Sequence, residues 1–229
     1  MNRFYVYSLI VAVIAAGCLA MYLASRLLAP IGKARQNQIG LALIGLSVLA
    51  IAFFHTNLVA SNCFVLSLAL CVGMLISRMI GSNGTLTSFL ISASIADLIS
   101  TQMGATKWLV DQAQNPQHLA QLHGVVILQY LALSIRMKGY LVPVIGFGDL
   151  MFFALCAFVA SRFSWPKAAI FAVPFAGILA ALGMALASGR LIPAIPLIAA
   201  TVIAYTYMRS PGKRLPVTTA ALKQNSCAL

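Results

Sequence analysis

Tyr140 to Ser161 has the sequence YLVPVIGFGDLMFFALCAFVAS, an apolar run with a single charged side chain, Asp149. About 20 apolar residues suffice for a helix to cross the hydrocarbon core of a bilayer, which is ~30 Å thick. Strands of a transmembrane barrel would instead alternate apolar and polar side chains. The run therefore predicts a transmembrane helix with an acidic residue near its middle.

The same pattern recurs along the chain. Further apolar runs, separated by short polar or basic segments, lie at residues 4–25, 36–54, 56–77, 85–106, 167–188 and 191–208. Of the 229 residues, 62% are hydrophobic and 8% are charged, whereas soluble domains have about 25% charged residues. The predicted fold is an all-α polytopic membrane protein with about seven transmembrane helices. For the more polar residues 119–135, a strand, a surface or re-entrant helix and an eighth span all stay open.

The basic residues predict the orientation of the chain. Lys and Arg number 15 against three acidic residues, but they are dispersed between apolar runs, so no nucleic-acid partner is predicted. Cytoplasmic loops carry the excess of Lys and Arg, which predicts a cytoplasmic C-terminus and an N-terminus outside. The ten basic residues assigned to the cytoplasmic side are Arg26, Lys33, Arg35, Arg78, Arg162, Lys167, Arg209, Lys213, Arg214 and Lys223.

Two of the three acidic residues, Asp97 and Asp149, lie within predicted spans. A charge at the bilayer centre costs about 2.5–3.5 kcal/mol on insertion scales, so such residues usually face the protein interior and take part in function. A pair of protonated carboxyls that only join helices is the alternative interpretation. Asp111, in a polar segment, is predicted to be a solvated loop residue. Ser94 and Thr101, one helical turn on either side of Asp97, are candidates to steady its carboxyl.

Two short motifs accompany these acids. Gly146-Phe147-Gly148-Asp149-Leu150 has two glycines just before the carboxylate, where the missing side chains allow a helix or an extended peptide to approach. Pro193-Ala194-Ile195-Pro196 opens the last predicted span with two residues that lack a backbone donor. Irregular backbone at membrane depth is either covered by protein or lines a wet cavity. An ordinary helix start, with proline in the first turn, is the other interpretation of the second motif.

In this order, the motifs resemble those of the presenilin and signal peptide peptidase family of intramembrane aspartyl proteases. The resemblance covers roughly residues 85–208. It implies hydrolysis of peptide bonds in transmembrane-helix substrates by Asp97 and Asp149, without metal or cofactor. The residues it implies in substrate binding are Gly146, Phe147, Gly148, Leu150, Pro193, Ala194, Ile195 and Pro196. In the family a strand ahead of the second Asp also holds substrate, and the candidates here are Val125–Tyr130 and Tyr140–Val142.

The chain departs from the family at three points. Ala96 stands where the family usually has Tyr, Ile195 stands where it has Leu, and three predicted spans precede Asp97 instead of five. We therefore predict a presenilin-like catalytic half (residues 81–208) behind a shortened three-helix scaffold (residues 1–80), followed by a basic cytoplasmic tail (residues 209–229). The predicted orientation is similar to that of signal peptide peptidase. The sequence leaves the oligomeric state open; membrane lipid and a transmembrane substrate are the predicted partners.

Two other functions stay open at this stage. Prepilin peptidases share Gly-x-Gly-Asp, but their motif is usually followed by Lys where Leu150 stands, and they lack the proline motif. A proton- or cation-coupled transporter would also use buried carboxylates, glycine interruptions and a proline-broken helix. No internal repeat relates the two halves of this sequence. The separation of the two carboxyls discriminates best, because a protease needs both of them at one water.

Overall fold

The computed structural model describes residues 3–54, 57–103, 132–137, 140–188 and 192–209. These residues form seven helices and one two-stranded sheet. The helices are α1 (Arg3–Leu28), α2 (Lys33–Phe54), α3 (Leu58–Ser77), α4 (Asn83–Met103), α5 (Phe147–Arg162), α6 (Lys167–Ser188) and α7 (Ile195–Arg209), and the strands are β1 (Ala132–Met137) and β2 (Tyr140–Gly146). Val125–Tyr130, Asp111 and the basic tail from residue 210 lie outside the described residues.

Four helices of the described part are long and apolar enough to cross a membrane: α3, α4, α6 and Tyr5–Leu28 within α1. Their outward faces carry large apolar side chains that stay exposed among the described elements, such as Leu27, Val59 and Met184. Apolar side chains on the outside of a helical protein are stable against lipid rather than water. The protein is therefore mostly helical and embedded in a membrane, as the composition predicts.

Local capping explains where two of the predicted spans begin. Asn57, between the second and third helices, is the N-cap of α3, and its Oδ1 accepts a hydrogen bond of 2.9 Å from the N–H of Val59. Ser82, immediately before α4, accepts from the N–H of Thr85 at 3.1 Å. Each side chain satisfies a backbone donor that the first turn of a helix leaves unpaired.

The predicted helix over Tyr140–Ser161 is wrong in its first third. Tyr140–Gly146 is the strand β2, and the helix α5 begins only at Phe147. Pro143 lacks the backbone donor of a helix interior, and the β-branched Val142, Val144 and Ile145 around it favour a strand. Helix α5 has 16 residues, which is about 24 Å of helix. Asp149 consequently lies in the first turn of a helix, not in the middle of one.

The last predicted span also begins later than predicted. Helix α7 starts at Ile195 instead of residue 191, and Pro193 lies in the non-helical segment before it. The carbonyl of Ala194 accepts from the N–H groups of Leu197 and Ile198, at 3.1 and 2.9 Å. Pro196 therefore lies in the first turn, where its missing N–H leaves no intrahelical bond unmade.

The strands β1 and β2 form an antiparallel hairpin that α3 holds by one side chain. Ser134 of β1 pairs with Pro143 of β2. On the edge of β1 away from β2, the Asn62 side chain donates to the Ser134 carbonyl at 2.8 Å and accepts from the Ser134 N–H at 2.9 Å. The primary amide of Asn62 thus takes the place of a neighbouring strand at this position. It fixes the hairpin, which leads directly into α5, to the helix bundle.

Helix α5 lies at the centre of the described helices and contacts α1, α3, α6 and α7. Its residues from Phe152 to Ala160 are all buried. Helix α3 approaches it most closely at Gly73, where a Cβ atom would lie 2.7 Å from the carbonyl oxygen of Met151. Helices α6 and α7 meet in the same way at Gly177, where a Cβ atom would lie 2.5 Å from the Cα of Ile198. The predicted scaffold and the predicted catalytic half are thus packed directly against each other.

Candidate active site

The first turn of α5 positions Asp149. Gly146 is the N-cap with extended backbone (φ −70°, ψ 152°), so Asp149 is the third residue of the helix. From this position the carboxyl turns back to the N–H of Gly146, which donates to it. An acidic side chain at the third helical position commonly accepts from the N-cap amide, and the positive end of the helix dipole stabilises its charge.

The first turn of α7 provides the backbone partner of Asp97. Helix α7 begins at Ile195, directly after Ala194. The alanine side chain has no oxygen that could cap the helix. The N–H of Ile195 instead donates to the Asp97 carboxyl, which comes from α4. Among the described residues, Oδ2 of Asp97 is buried without a hydrogen-bond partner. Within that part of the chain, this oxygen keeps its capacity to accept a hydrogen bond.

The hydroxyls of Ser94 and Thr101 donate to backbone carbonyls and not to the Asp97 carboxyl. Ser94 donates to the carbonyl of Leu90 at 2.7 Å, and Thr101 donates to the backbone carbonyl of Asp97 at 2.8 Å. The prediction that these two hydroxyls steady the carboxyl is therefore wrong. In a helix, Ser and Thr commonly donate to the backbone carbonyl four residues earlier. Both hydroxyls form this local bond here instead of a bond to the Asp97 carboxyl.

The two carboxyls lie close enough to interact electrostatically, because the charge of Asp97 acts on Asp149. Ile195 links the two sides: its N–H faces Asp97, and its Cδ1 lies 3.7 Å from where a Cβ of Gly148 would stand. On the same side of α5, the ring of Phe152 stacks on Phe89 of α4, with ring centroids 5.8 Å apart. The N-terminal ends of α5 and α7 thus converge on two acidic side chains.

The other residues that the resemblance implies in substrate binding differ in how far they are buried. Phe147 and Pro196, each in the first turn of its helix, are partly buried, and so is Pro193 before α7. Leu150 is fully buried, and its Cδ2 lies 3.8 Å from where a Cβ of Gly17 on α1 would stand. The structure therefore places Leu150 in the packing between α5 and α1.

Sequence reasoning missed two residues at this site. The buried thiol of Cys18, on α1, is within the electrostatic field of Asp149. Asn62 fastens the strand pair that precedes Asp149, although 72 residues separate it from Ser134. A polar amide inside the apolar α3 was a signal for Asn62, whereas a cysteine in an apolar helix carries no such signal.

No group of three or more His, Cys, Asp or Glu side chains that might hold a metal ion occurs within the described residues. The functional groups at the converging helix ends include two interacting carboxyls, backbone amides and a thiol. Two carboxyls that interact do not both ionise readily, and a shared proton lets one act as acid while the other acts as base. No protein-family model, curated protein or solved structure matches this chain.

Proposed function

We propose that the protein is an intramembrane aspartyl protease that hydrolyses peptide bonds of transmembrane-helix substrates. The observation that carries the proposal is the convergence of the first turns of α5 and α7, joined at Ile195 and Gly148, on two carboxyls that interact electrostatically. Carboxyls that share a water do acid–base chemistry on it, whereas a transport relay spaces its carboxyls along a path. The order of the motifs agrees with the resemblance to presenilins and signal peptide peptidases.

The proposed reaction needs one protonated and one ionised carboxyl. The ionised member removes a proton from a water, whose oxygen attacks the scissile carbonyl carbon. The protonated member donates its proton to the carbonyl oxygen as that oxygen gains charge. The C–N bond then breaks as the carboxyl that took the proton from water gives it to the leaving amine. The other carboxyl recovers a proton from a hydroxyl of the gem-diol, which becomes the product carboxylic acid. The backbone amides of Gly146 and Ile195 hold the two carboxyls in place through these steps.

The outer edge of β2 is the proposed place where substrate backbone is held. Ser134 directs its N–H and carbonyl away from β2 to Asn62. The opposite residue, Pro143, therefore directs its backbone carbonyl to the outer edge of β2, where no other described strand pairs. By the same alternation, Leu141 directs both of its backbone groups to that edge. An unwound substrate segment that added to this edge would run toward Asp149.

Hydrogen bonds from three arginines to residues of neighbouring elements support seven membrane crossings with the C-terminus in the cytoplasm. Arg78 at the end of α3 bonds to Gln36 at the start of α2, at 2.8 Å. Arg162 at the end of α5 donates to the carbonyl of Ser77, and Arg209 at the end of α7 donates to that of Ser164 at 2.8 Å. These ends therefore lie on one side, which is the side that carries the excess of Lys and Arg and faces the cytoplasm.

The proposal is tested with a peptide transition-state analogue that carries a hydroxyethylene group in place of the scissile bond. Its hydroxyl occupies the place of the attacked water between the carboxyls, so the analogue is expected to raise the Tm of the purified protein by about 5 °C at 100 times its Kd. The matched control is the same peptide with a methylene in place of the hydroxyl-bearing carbon. An equal shift with both peptides, or no shift, would contradict a carboxyl pair that binds water.

The two glycines of the motif are expected to respond differently to alanine. A Cβ at Gly146 would lie 3.4 Å from Oδ2 of Asp149, whereas a Cβ at Gly148 would lie 3.7 Å from Cδ1 of Ile195. We expect Gly146→Ala to lower the rate of cleavage about tenfold, because its methyl would touch the reacting carboxyl itself and reduce the space for water and substrate beside it. Gly148→Ala serves as the matched control and should stay within about threefold of the wild-type rate. Initial rates with one reporter peptide measure both, and equal losses would contradict this assignment.

A further inference from the structure

A pair of arginines lies where α3 and α5 end, on the side opposite the carboxyls. Arg78 donates through its two Nη groups to Oδ1 of Asn37 and Oε1 of Gln36. Gln36 is itself buried, with 8% of its surface exposed, and its Nε2 donates to the carbonyl of Leu28 at 2.7 Å. Arg162 donates to the carbonyl of Ser77. We call Arg78 and Arg162 the arginine pair.

All the hydrogen-bond partners of the arginine pair in the described residues are neutral. Amide and carbonyl oxygens accept from the guanidinium groups but do not cancel their charge. The two groups also repel each other, since the charge of Arg78 acts unfavourably on Arg162. The described acids are remote from the arginine pair. Asp149 lies 13 residues before Arg162 on α5, or about 20 Å along the helix, and Asp97 interacts with Asp149 at that far end.

The pair also retains an unused donor. Among the described residues, the buried Nε of Arg78 and the buried Oγ of Ser161 lack a hydrogen-bond partner. Ser161 immediately precedes Arg162 in the last turn of α5. A buried donor of a guanidinium is costly when it stays unpaired. The buried amide of Gln36 holds Arg78 in place. A bound anion would offset the two guanidinium charges and accept a hydrogen bond from the unpaired Nε of Arg78.

We propose that the arginine pair binds a phosphate group of net negative charge. Guanidinium groups match phosphate oxygens in geometry, and an oxyanion there would relieve the repulsion and accept from Nε of Arg78. Helices that end at the membrane surface place such a site at the level of lipid headgroups, and anionic phospholipids are enriched in the cytoplasmic leaflet. A free phosphate has the same chemistry. The site does not depend on the proposed protease activity.

The test measures the Tm of the full-length protein in dodecylmaltoside micelles. Dioleoylphosphatidylglycerol, dioleoylphosphatidylcholine or inorganic phosphate is added at constant ionic strength. We expect phosphatidylglycerol to raise the Tm by about 5 °C over phosphatidylcholine, whose choline balances its own phosphate. A comparable rise with inorganic phosphate would assign the site to the soluble anion, and a rise with phosphatidylglycerol alone would assign it to lipid. No rise with either would overturn the proposal.

Variants separate this site from general surface charge. Arg78→Gln and Arg162→Gln are each expected to remove the rise. Arg209→Gln, which also deletes a charge and an arginine-to-carbonyl hydrogen bond on this side, should keep it. If Arg78→Gln fails to fold, the comparison of Arg162→Gln with Arg209→Gln decides. An equal loss of the rise in Arg162→Gln and Arg209→Gln would overturn the proposal, whatever the state of proteolysis.

Discussion

Replacing either Asp97 or Asp149 by Asn is expected to abolish cleavage of a transmembrane reporter peptide in proteoliposomes. An amide neither removes a proton from water nor delivers one to the scissile carbonyl, and the loss of acid–base catalysis alone costs up to about 10⁴-fold in rate. The Asn side chain still accepts a hydrogen bond from the N–H of Ile195 or Gly146, so membrane insertion and helix packing should persist. The measurement is the initial rate of product formation, with the Tm of each variant recorded beside it.

The third acid of the chain supplies the matched control for this experiment. Asp111→Asn also removes one carboxylate, and its cleavage rate should match that of the wild-type protein. Retained cleavage in either the Asp97 or the Asp149 variant would exclude a catalytic pair. A Tm lowered by many degrees in both variants, with some activity left, would favour two carboxyls that only join helices.

Gly177→Ala is expected to destabilise the protein strongly, unlike the other glycine-to-alanine substitution in α6. The added methyl would lie 2.5 Å from Cα and 2.6 Å from N of Ile198, which are backbone atoms that no side-chain rotation removes. Helices α6 and α7 must then separate. Overpacking of this kind costs about 3 kcal/mol at the upper end of its usual range, which corresponds to a Tm lowered by about 6–12 °C. Cleavage should fall too, because α7 carries the amide that faces Asp97.

Gly183 offers a control on the same helix. A Cβ there would meet nothing within 4 Å, so Gly183→Ala adds the same methyl without a clash. Alanine is favoured over glycine in a helix interior by up to about 1 kcal/mol, and the Tm of this variant should stay level or rise. Thermal unfolding of both variants in one detergent gives the comparison. Equal behaviour of the two variants would show that α6 and α7 do not pack as described.

The apolar helices are predictable from sequence because one physical quantity, the length of an apolar run, determines them. The boundary between β2 and α5 was missed for the same reason: strand and helix are both apolar there, and hydropathy does not distinguish them. Pro143 and the glycine at position 146 were the local signals of the change. A helix propensity taken residue by residue would have placed the start of α5 nearer to Phe147.

The geometry of the site was less predictable than its two acids. Asp97 and Asp149 stand out because charges in apolar spans are rare. Their hydrogen-bond partners do not stand out in the sequence. The N–H of Ile195, for example, is a backbone group that every residue type except proline has. The contact of Asn62 with Ser134 spans 72 residues, and the bond of Arg162 to Ser77 spans 85. Such long-range pairings depend on how the helices assemble, which no local pattern encodes.

Anchoring an acid by the main chain has an evolutionary consequence. A donor that belongs to the peptide unit survives exchange of the side chain on the same residue, and only proline would remove it. Because the side chain at position 195 is itself buried, exchange there is limited to apolar side chains of similar volume. Within that limit the sequence can change while the acid on α4 keeps its anchor.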